Sequence, residues 1–352
     1  MLLVRAPVRI SFAGGGTDLP SYYETYGGMV VSTTIDRYFY AIVEADGVRP
    51  LQITSADYST FYHHMDGGDL PWEDGDLRLP RAVLNHFGIR HGLSLFLASE
   101  VPGGTGLGSS SSVTVALCKA MGALCGISFT PGELAEVASY IELVKLGSPI
   151  GKQDQYAAAY GGFHSYRFHA GGVEAEPLLL ALDVRLALEE RLCLFFTGGS
   201  REANSILREQ RAGTLSGQNV EGLHAIKAMA EDARRSLTTG RLGDLADLLH
   251  EGWMQKRRLA AGISTDRIDD LYELARRKGA RGGKLAGAGG GGFLLLYCEP
   301  EAQPAMTAAL QAAGLQRLDF RFADAGATVL LNSGLRLRSL SRRDLGEIHA
   351  TA

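Results

Sequence analysis

Apolar and polar positions alternate in short runs near the start of the chain and recur at helical spacing later. Residues 2–12 read as a strand broken by Pro7, and residues 29–35, 38–44, 51–55 and 59–63 as short antiparallel strands. A helical period over 77–87 precedes an apolar strand at 93–98, and a second apolar period runs over 113–124. Thr130, Pro131 and Glu133 form a capping box that opens a helix to about 146, with Leu134, Val137, Ala138, Ile141 and Val144 as its buried stripe. A small-residue helix at 156–160 follows, then strands at 163–168 and 173–180.

The pattern fades between 177 and 190, which places a boundary there between domains at 1–185 and 186–352. Beyond it, a strand at 192–196 leads to a glycine turn that opens a helix with Ser200 as N-cap, and three further helices follow at 218–239, 242–261 and 266–278. The last is capped by Thr265 and closed by Gly279. A buried strand at 293–297, a helix at 301–313 and strands at 317–322 and 327–331 precede a peripheral segment from 335. Strands and helices alternate without a regular βαβ rhythm, so the predicted class is α+β rather than a doubly wound sheet.

Composition narrows the function without naming it. A chain of 352 residues, 45% apolar and 21% charged, is ordinary for a soluble protein of two domains. A net charge of −4 supplies no field for nucleic acid. Four scattered cysteines form no CxxC pair and read as buried thiols of a reducing compartment. The first residues lack the long apolar core of a signal peptide and no uncharged run is long enough to span a membrane, so a cytoplasmic location is expected. His63 and His64 have no third ligand at metal spacing. The 45 glycines cluster at 14–16, 103–108 and 287–292, as they do where backbone approaches a ligand or another backbone.

The middle cluster organises the chain. Pro102, Gly103, Gly104, Thr105, Gly106, Leu107, Gly108, Ser109, Ser110 and Ser111 lie between the 93–98 strand and the 113–124 helix. Four glycines within six positions bring backbone N–H groups within reach of an anion, and serines then open the positive end of a helix. That order fits a polyphosphate cradle better than a plain capped turn. No Lys-Ser/Thr pair follows, so it is not the common P-loop. Elsewhere the residues leave alternatives open. Arg9 beside Gly15, Gly16, Thr17 and Asp18 could line a polar ligand site or a solvated turn. Glu142 could be a rim carboxylate or a magnesium ligand, and Asp154 a helix N-terminal charge or a positioned base.

Three glycine motifs stand in fixed order: APVRISFAGGGTD (6–18), PGGTGLGSSSS (102–112) and KLAGAGGGGF (284–293). In this the chain resembles the GHMP kinase superfamily of galactokinases, homoserine, mevalonate and phosphomevalonate kinases. AGGGTDLPSYYETYGG and GKQDQYAAAYGGF look like its heptose 7-phosphate kinases. The resemblance implies an N-terminal domain like ribosomal protein S5 domain 2, a ferredoxin-like C-terminal domain, and an active site between them. It implies ATP and Mg²⁺, with 102–111 around the phosphates and Ser110 and Glu142 as metal ligands. Asp154 would be the catalytic base, with Arg9 beside it. Gly15 to Asp18, Gly289 and Gly290 would face a sugar phosphate. Arg201, and Lys256 with Arg257, are candidates for the acceptor's own phosphate. Surface-polysaccharide synthesis would be the setting, and a homodimer is an open alternative.

Galactokinases carry Gly-Glu-His-Thr-Asp where this chain has Gly14-Gly15-Gly16-Thr17-Asp18, which disfavours galactose and makes room for a longer or phosphorylated sugar. Rival readings are a kinase for fucose, galactose or an N-acetylhexosamine, a decarboxylase of the same fold acting on a diphosphorylated mevalonate, and a catalytically silent sensor of ATP and sugar. The joint presence of Arg9, Ser110, Glu142 and Asp154 argues against silence.

Overall fold

The computed structural model describes residues 1–47, 50–57, 59–65, 68–199 and 203–337. Its first strand, β1 (Leu2–Ala13), serves two cores. Leu2, Val4 and Ala6 pack in one, and Val8, Ile10 and Phe12 in another. The change falls at Pro7, which cannot donate to a ladder, and there the pairing with the next strand slips from Pro7↔Tyr38 to Val8↔Ile35.

In chain order follow α1 (Pro20–Tyr26), β2 (Gly28–Ala45), β3 (Leu51–Ser55), β4 (Thr60–His64), α2 (Arg78–His86), β5 (Leu93–Ser99), α3 (Ser109–Cys125) and α4 (Pro131–Ser139). A π-helical turn (Tyr140–Lys145), α5 (Gln153–Tyr160), β6 (His164–His169), β7 (Gly172–Pro177) and α6 (Leu182–Arg191) come next. The remainder is β8 (Leu192–Phe196), α7 (Ala203–Leu215), α8 (Val220–Thr238), α9 (Leu242–Lys256), α10 (Asp266–Arg277), β9 (Ala280–Leu285), β10 (Phe293–Cys298), α11 (Gln303–Ala312), β11 (Gln316–Leu318), β12 (Phe322–Ala323) and β13 (Thr328–Asn332).

Among the described residues the strands form two sheets. The larger has the order β13-β1-β2-β5-β3-β4, with β6 and β12 also on β2 and β7 on β6. The smaller, β11-β8-β10-β9, is antiparallel throughout. Numbered within its own segment it reads 4-1-3-2, the ferredoxin-like order. β12 and β13 return to β2 and β1, so the last described strands complete the first sheet. One apolar core joins the two halves: Val8, Ile10 and Phe12 share it with Leu194 on β8, Leu237 on α8, Leu249 on α9 and Leu295 on β10. Both walls of the cleft between the sheets therefore stand on one packed interior.

Several elements depart from the sequence pattern. β2 is one strand across 28–45 where two runs were expected, and β3 runs parallel to β5 rather than antiparallel. α6 occupies the stretch that seemed patternless, because only Leu188 is buried and its helix has almost no apolar face. β9 was hidden by its glycines, one of which lets α9 close on the strand: a Cβ on Gly282 would lie 1.9 Å from the Ala246 carbonyl oxygen. α9 stops at Lys256, short of 261. The capping box at Thr130 is present with both of its hydrogen bonds. The helix it opens does not hold an α register, and Val144, expected in the stripe, is 61% exposed.

Candidate active site

Glycine makes the cleft possible. The loop before α3 meets the loop before β10 backbone to backbone. A Cβ on Gly106 would lie 2.3 Å from the Ala286 carbonyl oxygen, one on Gly287 2.4 Å from Gly106 Cα, and one on Gly292 2.2 Å from the Thr105 carbonyl oxygen. Phe293 N donates to that same Thr105 oxygen at 3.0 Å. No side chain fits between the two loops, so both sequences need glycine there. The cleft beside this junction is about 250 Å³.

Gly104, Gly106 and Gly108 alternate in the left-handed region, a backbone that turns N–H groups toward one side. The serines then divide their work. Ser110 stands exposed on the cleft wall, Ser111 Oγ donates to Glu142 Oε2 at 3.1 Å, and Ser112 Oγ donates to the Pro7 carbonyl at 2.8 Å, tying α3 to β1.

Glu142 reaches the cleft through the π-helical turn. Leu146 N donates to the Ile141 carbonyl, five residues back, at 2.9 Å. That wider turn puts Glu142 inside, 2% exposed, and Val144 outside. Burial raises the Glu142 pKa to about 7, against hydrogen bonds from Thr114 and Ser111 that lower it, while the Asp154 charge raises it further.

The sign of the consequence follows directly. Between about pH 4.5 and about 7 the folded protein holds a proton that the unfolded chain has released, so stability falls as pH rises through that window. We expect Glu142→Gln, melted in a metal chelator, to exceed the wild-type melting temperature at pH 8 and to lose that advantage at pH 4. A wild-type curve parallel to that of the variant would contradict it.

Asp154, in the first turn of α5, lies at the mouth of α3, where a Cβ on Gly108 would be 3.1 Å from its Oδ2. Arg9 holds the other oxygen: Nε donates to Oδ1 at 2.8 Å and Nη2 is 2.7 Å away, while Nη1 donates to the Gly106 carbonyl at 2.5 Å. Asp18 is buried nearby, accepting from Gly16 N at 2.9 Å and Gln153 N at 3.3 Å, and burial with the Asp154 charge raises its pKa. Gly151 must be glycine to let it in, since a Cβ there would lie 1.9 Å from Asp18 Oδ2.

Two lysines complete the site. Lys256 lines the cleft and donates to the Gly287 carbonyl. Burial, then repulsion from Arg9, lowers its pKa to about 8. Lys284, from the third glycine motif, is buried and donates to the Phe12 carbonyl at 3.4 Å, and burial with the Lys256 charge drives its pKa well down. Nothing in the sequence singled out Lys284, because glycines disguised its strand. α7 adds Asn204, Leu207 and Gln210 to the wall, equally unseen in the sequence.

Not every expected residue comes to the cleft. Arg9, Gly16, Asp18, Gly104, Gly106 and Gly108 line it, as do Ser109 to Ser111, Glu142, Asp154 and Gly289. Thr17 is fully buried, its hydroxyl within hydrogen-bond distance of the Gly14 and Met29 carbonyls and accepting from Met29 N, so it shapes the loop instead of meeting a ligand. Leu107 packs in the interior, and Thr105 Oγ1 turns back to the Pro102 carbonyl at 2.8 Å. Pro102, Gly103, Gly15 and Gly290 stand off the cleft wall. Arg257 is engaged by Asp269. Arg201, with Ser200, lies outside the described residues.

Residues 77–162 match the GHMP kinases N terminal domain, and residues 226–315 the GHMP kinases C terminal domain. The chain is 32% identical to the D-glycero-alpha-D-manno-heptose 7-phosphate kinase of Campylobacter jejuni, over 92% of this chain and 96% of that one. The chain belongs to the GHMP kinases. This kinase therefore has the two-domain GHMP fold and is an ATP-dependent phosphotransferase acting on a sugar hydroxyl. It is also 27% identical to the L-fucokinase/L-fucose-1-P guanylyltransferase of Bacteroides fragilis, over 85% of this chain and 35% of that longer one. Among solved structures, the D-glycero-D-manno-heptose 1-phosphate kinase from Bacteriodes thetaiotaomicron superposes with a TM-score of 0.80 at 27% identity, covering 95% of this chain and 100% of that one. Among the described residues no helix is long and apolar enough to cross a membrane.

Proposed function

We propose that this kinase phosphorylates the anomeric hydroxyl of a heptose phosphate, D-glycero-D-manno-heptose 7-phosphate, using ATP. The observation that carries the proposal is the Asp154–Arg9 pair at the mouth of the serine-headed helix, with buried Lys256 on the same cleft. Phosphoryl transfer asks for alignment and charge neutralisation more than covalent chemistry. Arg9 occupies Asp154 Oδ1, which leaves Oδ2, the oxygen beside Gly108, to accept the acceptor hydroxyl's proton. Arg9 also fixes the glycine loop through the Gly106 carbonyl.

Glu142 and Ser110 are hard oxygen donors on one wall, and the buried Glu142 carboxylate has the like charge of Asp154 as its charged influence. Such a pair fits Mg²⁺, which neutralises developing phosphate charge when bound. Lys256 supplies a positive charge on the cleft wall for an acceptor that already carries a phosphate. A cytoplasmic location and a place in surface-polysaccharide synthesis accord with a kinase of this substrate.

The names of the two heptose kinases put the existing phosphate at different ends of the sugar, so the acceptor panel must include both. ADP release should be fastest with the 7-phosphate, and slower by at least about tenfold with the free heptose, which has no phosphate for Lys256 to hold. Faster release with the 1-phosphate, L-fucose, galactose or an N-acetylhexosamine would replace this substrate assignment.

A further inference from the structure

We propose that Gln210, with Gln153, reads a hydroxyl group of the acceptor, and that Gly16 is glycine to admit the Gln210 amide. This rests on the sugar-kinase reading above and deepens it.

Gln210 is 1% exposed, lines the cleft, and its Nε2 has no hydrogen-bond partner among the described residues. Buried amides are nearly always satisfied, so an unpaired donor on a residue that lines a ligand cleft marks a partner that arrives with the ligand. The residue is nonetheless firmly held. Its carbonyl accepts from Thr214 Oγ1 at 2.8 Å and from Asn219 Nδ2 at 3.3 Å, and Asn219 also donates to the Leu259 carbonyl at 2.9 Å. The backbone is anchored while the amide is left free.

Gln153 presents the complementary atom. Its Nε2 donates to Asp18 Oδ1 at 3.3 Å, which fixes the amide orientation and leaves Oε1 buried without a partner. One unpaired donor and one unpaired acceptor thus flank the Gly15–Gly16 loop. A hydroxyl both accepts and donates and can serve the two together, whereas a fully ionised phosphate oxygen would satisfy Gln210 alone. The corner is therefore built for a polyol, with the acceptor's phosphate directed elsewhere.

Gly16 links this to the sequence. Its φ is +101°, and a Cβ there would lie 2.4 Å from Gln210 Nε2. A side chain on the loop and the Gln210 amide compete for the same space.

The test uses Gln210→Leu and Gly16→Ala in the full-length enzyme, with whichever acceptor the wild type phosphorylates. Gln210→Leu should raise the acceptor KM roughly 10–100-fold and leave the KM for ATP within about twofold. Gly16→Ala should move the acceptor KM in the same direction. Among deoxy analogues of that acceptor, one should be poor for the wild type and no worse than its parent for Gln210→Leu. The ligand-free variant should melt no lower than wild type, because an apolar side chain of similar size replaces an unsatisfied amide. An unchanged acceptor KM, equal shifts in both KM values, or a lower ligand-free melting temperature would overturn the inference. Turnover of L-fucose but not the heptose phosphate would sink only the substrate assignment, and the Gln210 comparison is then read on L-fucose. Silence on every acceptor would remove both.

Discussion

Asp154→Asn should turn over at least about 10²-fold more slowly than wild type while its KM for ATP stays within about twofold. Asparagine keeps the size of the side chain and an oxygen for Arg9, whose Nε now donates to Oδ1 at 2.8 Å. The glycine loop should hold too, since Arg9 Nη1 binds the Gly106 carbonyl independently of Asp154. What disappears is the basic oxygen beside Gly108. Steady-state kinetics with ATP and the best acceptor measure this directly. A loss below about tenfold would mean that alignment carries the rate and that no general base is needed.

Gly106→Ala should be the most damaging small substitution at the junction. The residue sits at φ +85°, and an added Cβ would lie 2.3 Å from the Ala286 carbonyl oxygen and 2.7 Å from its carbon. Neither is the end of a flexible side chain, so one loop must move away from the other. We expect about 1–3 kcal/mol of lost stability from strain and separation. Turnover should fall by about 10²-fold, since a displacement of about 1 Å at a phosphate cradle misaligns the transferred group. Gly68→Ala is the matched control: it has no neighbour within 4 Å, lies outside the left-handed region, and should change stability by less than about 0.5 kcal/mol. Chemical denaturation and kcat on both variants decide the matter. Equal effects would show that glycine is dispensable where the loops meet.

The junction also explains why three glycine motifs so far apart in the chain belong together. The first admits Gln210 at Gly16, the second and third touch through Gly106 and Gly287, and Gly292 lets Thr105 accept from Phe293 N. Each of these glycines is required by a neighbour 180 residues away or more. A glycine cluster in the sequence advertises close approach without naming its partner.

Local pattern was enough for much of the rest. Strand β1, helix α3 with its serine head, the capping box at Thr130 and the apolar strand β10 all follow from residue spacing and end signals, which act over a few residues. The motif order was enough to identify the kinase family. Tertiary structure alone decided the division of labour within the site. Three adjacent serines point to the cleft, to Glu142 and to Pro7. A single π-helical turn swings Glu142 in and Val144 out, against the helical period that the sequence displays. Gln210 lines the cleft, with Lys284 behind Lys256, only because α7 packs on α1 and β9 pairs with β10 and packs on α9. Periodicity records which side of an element is apolar. Which elements then face one another is set by the shared core, whose contacts no local window contains.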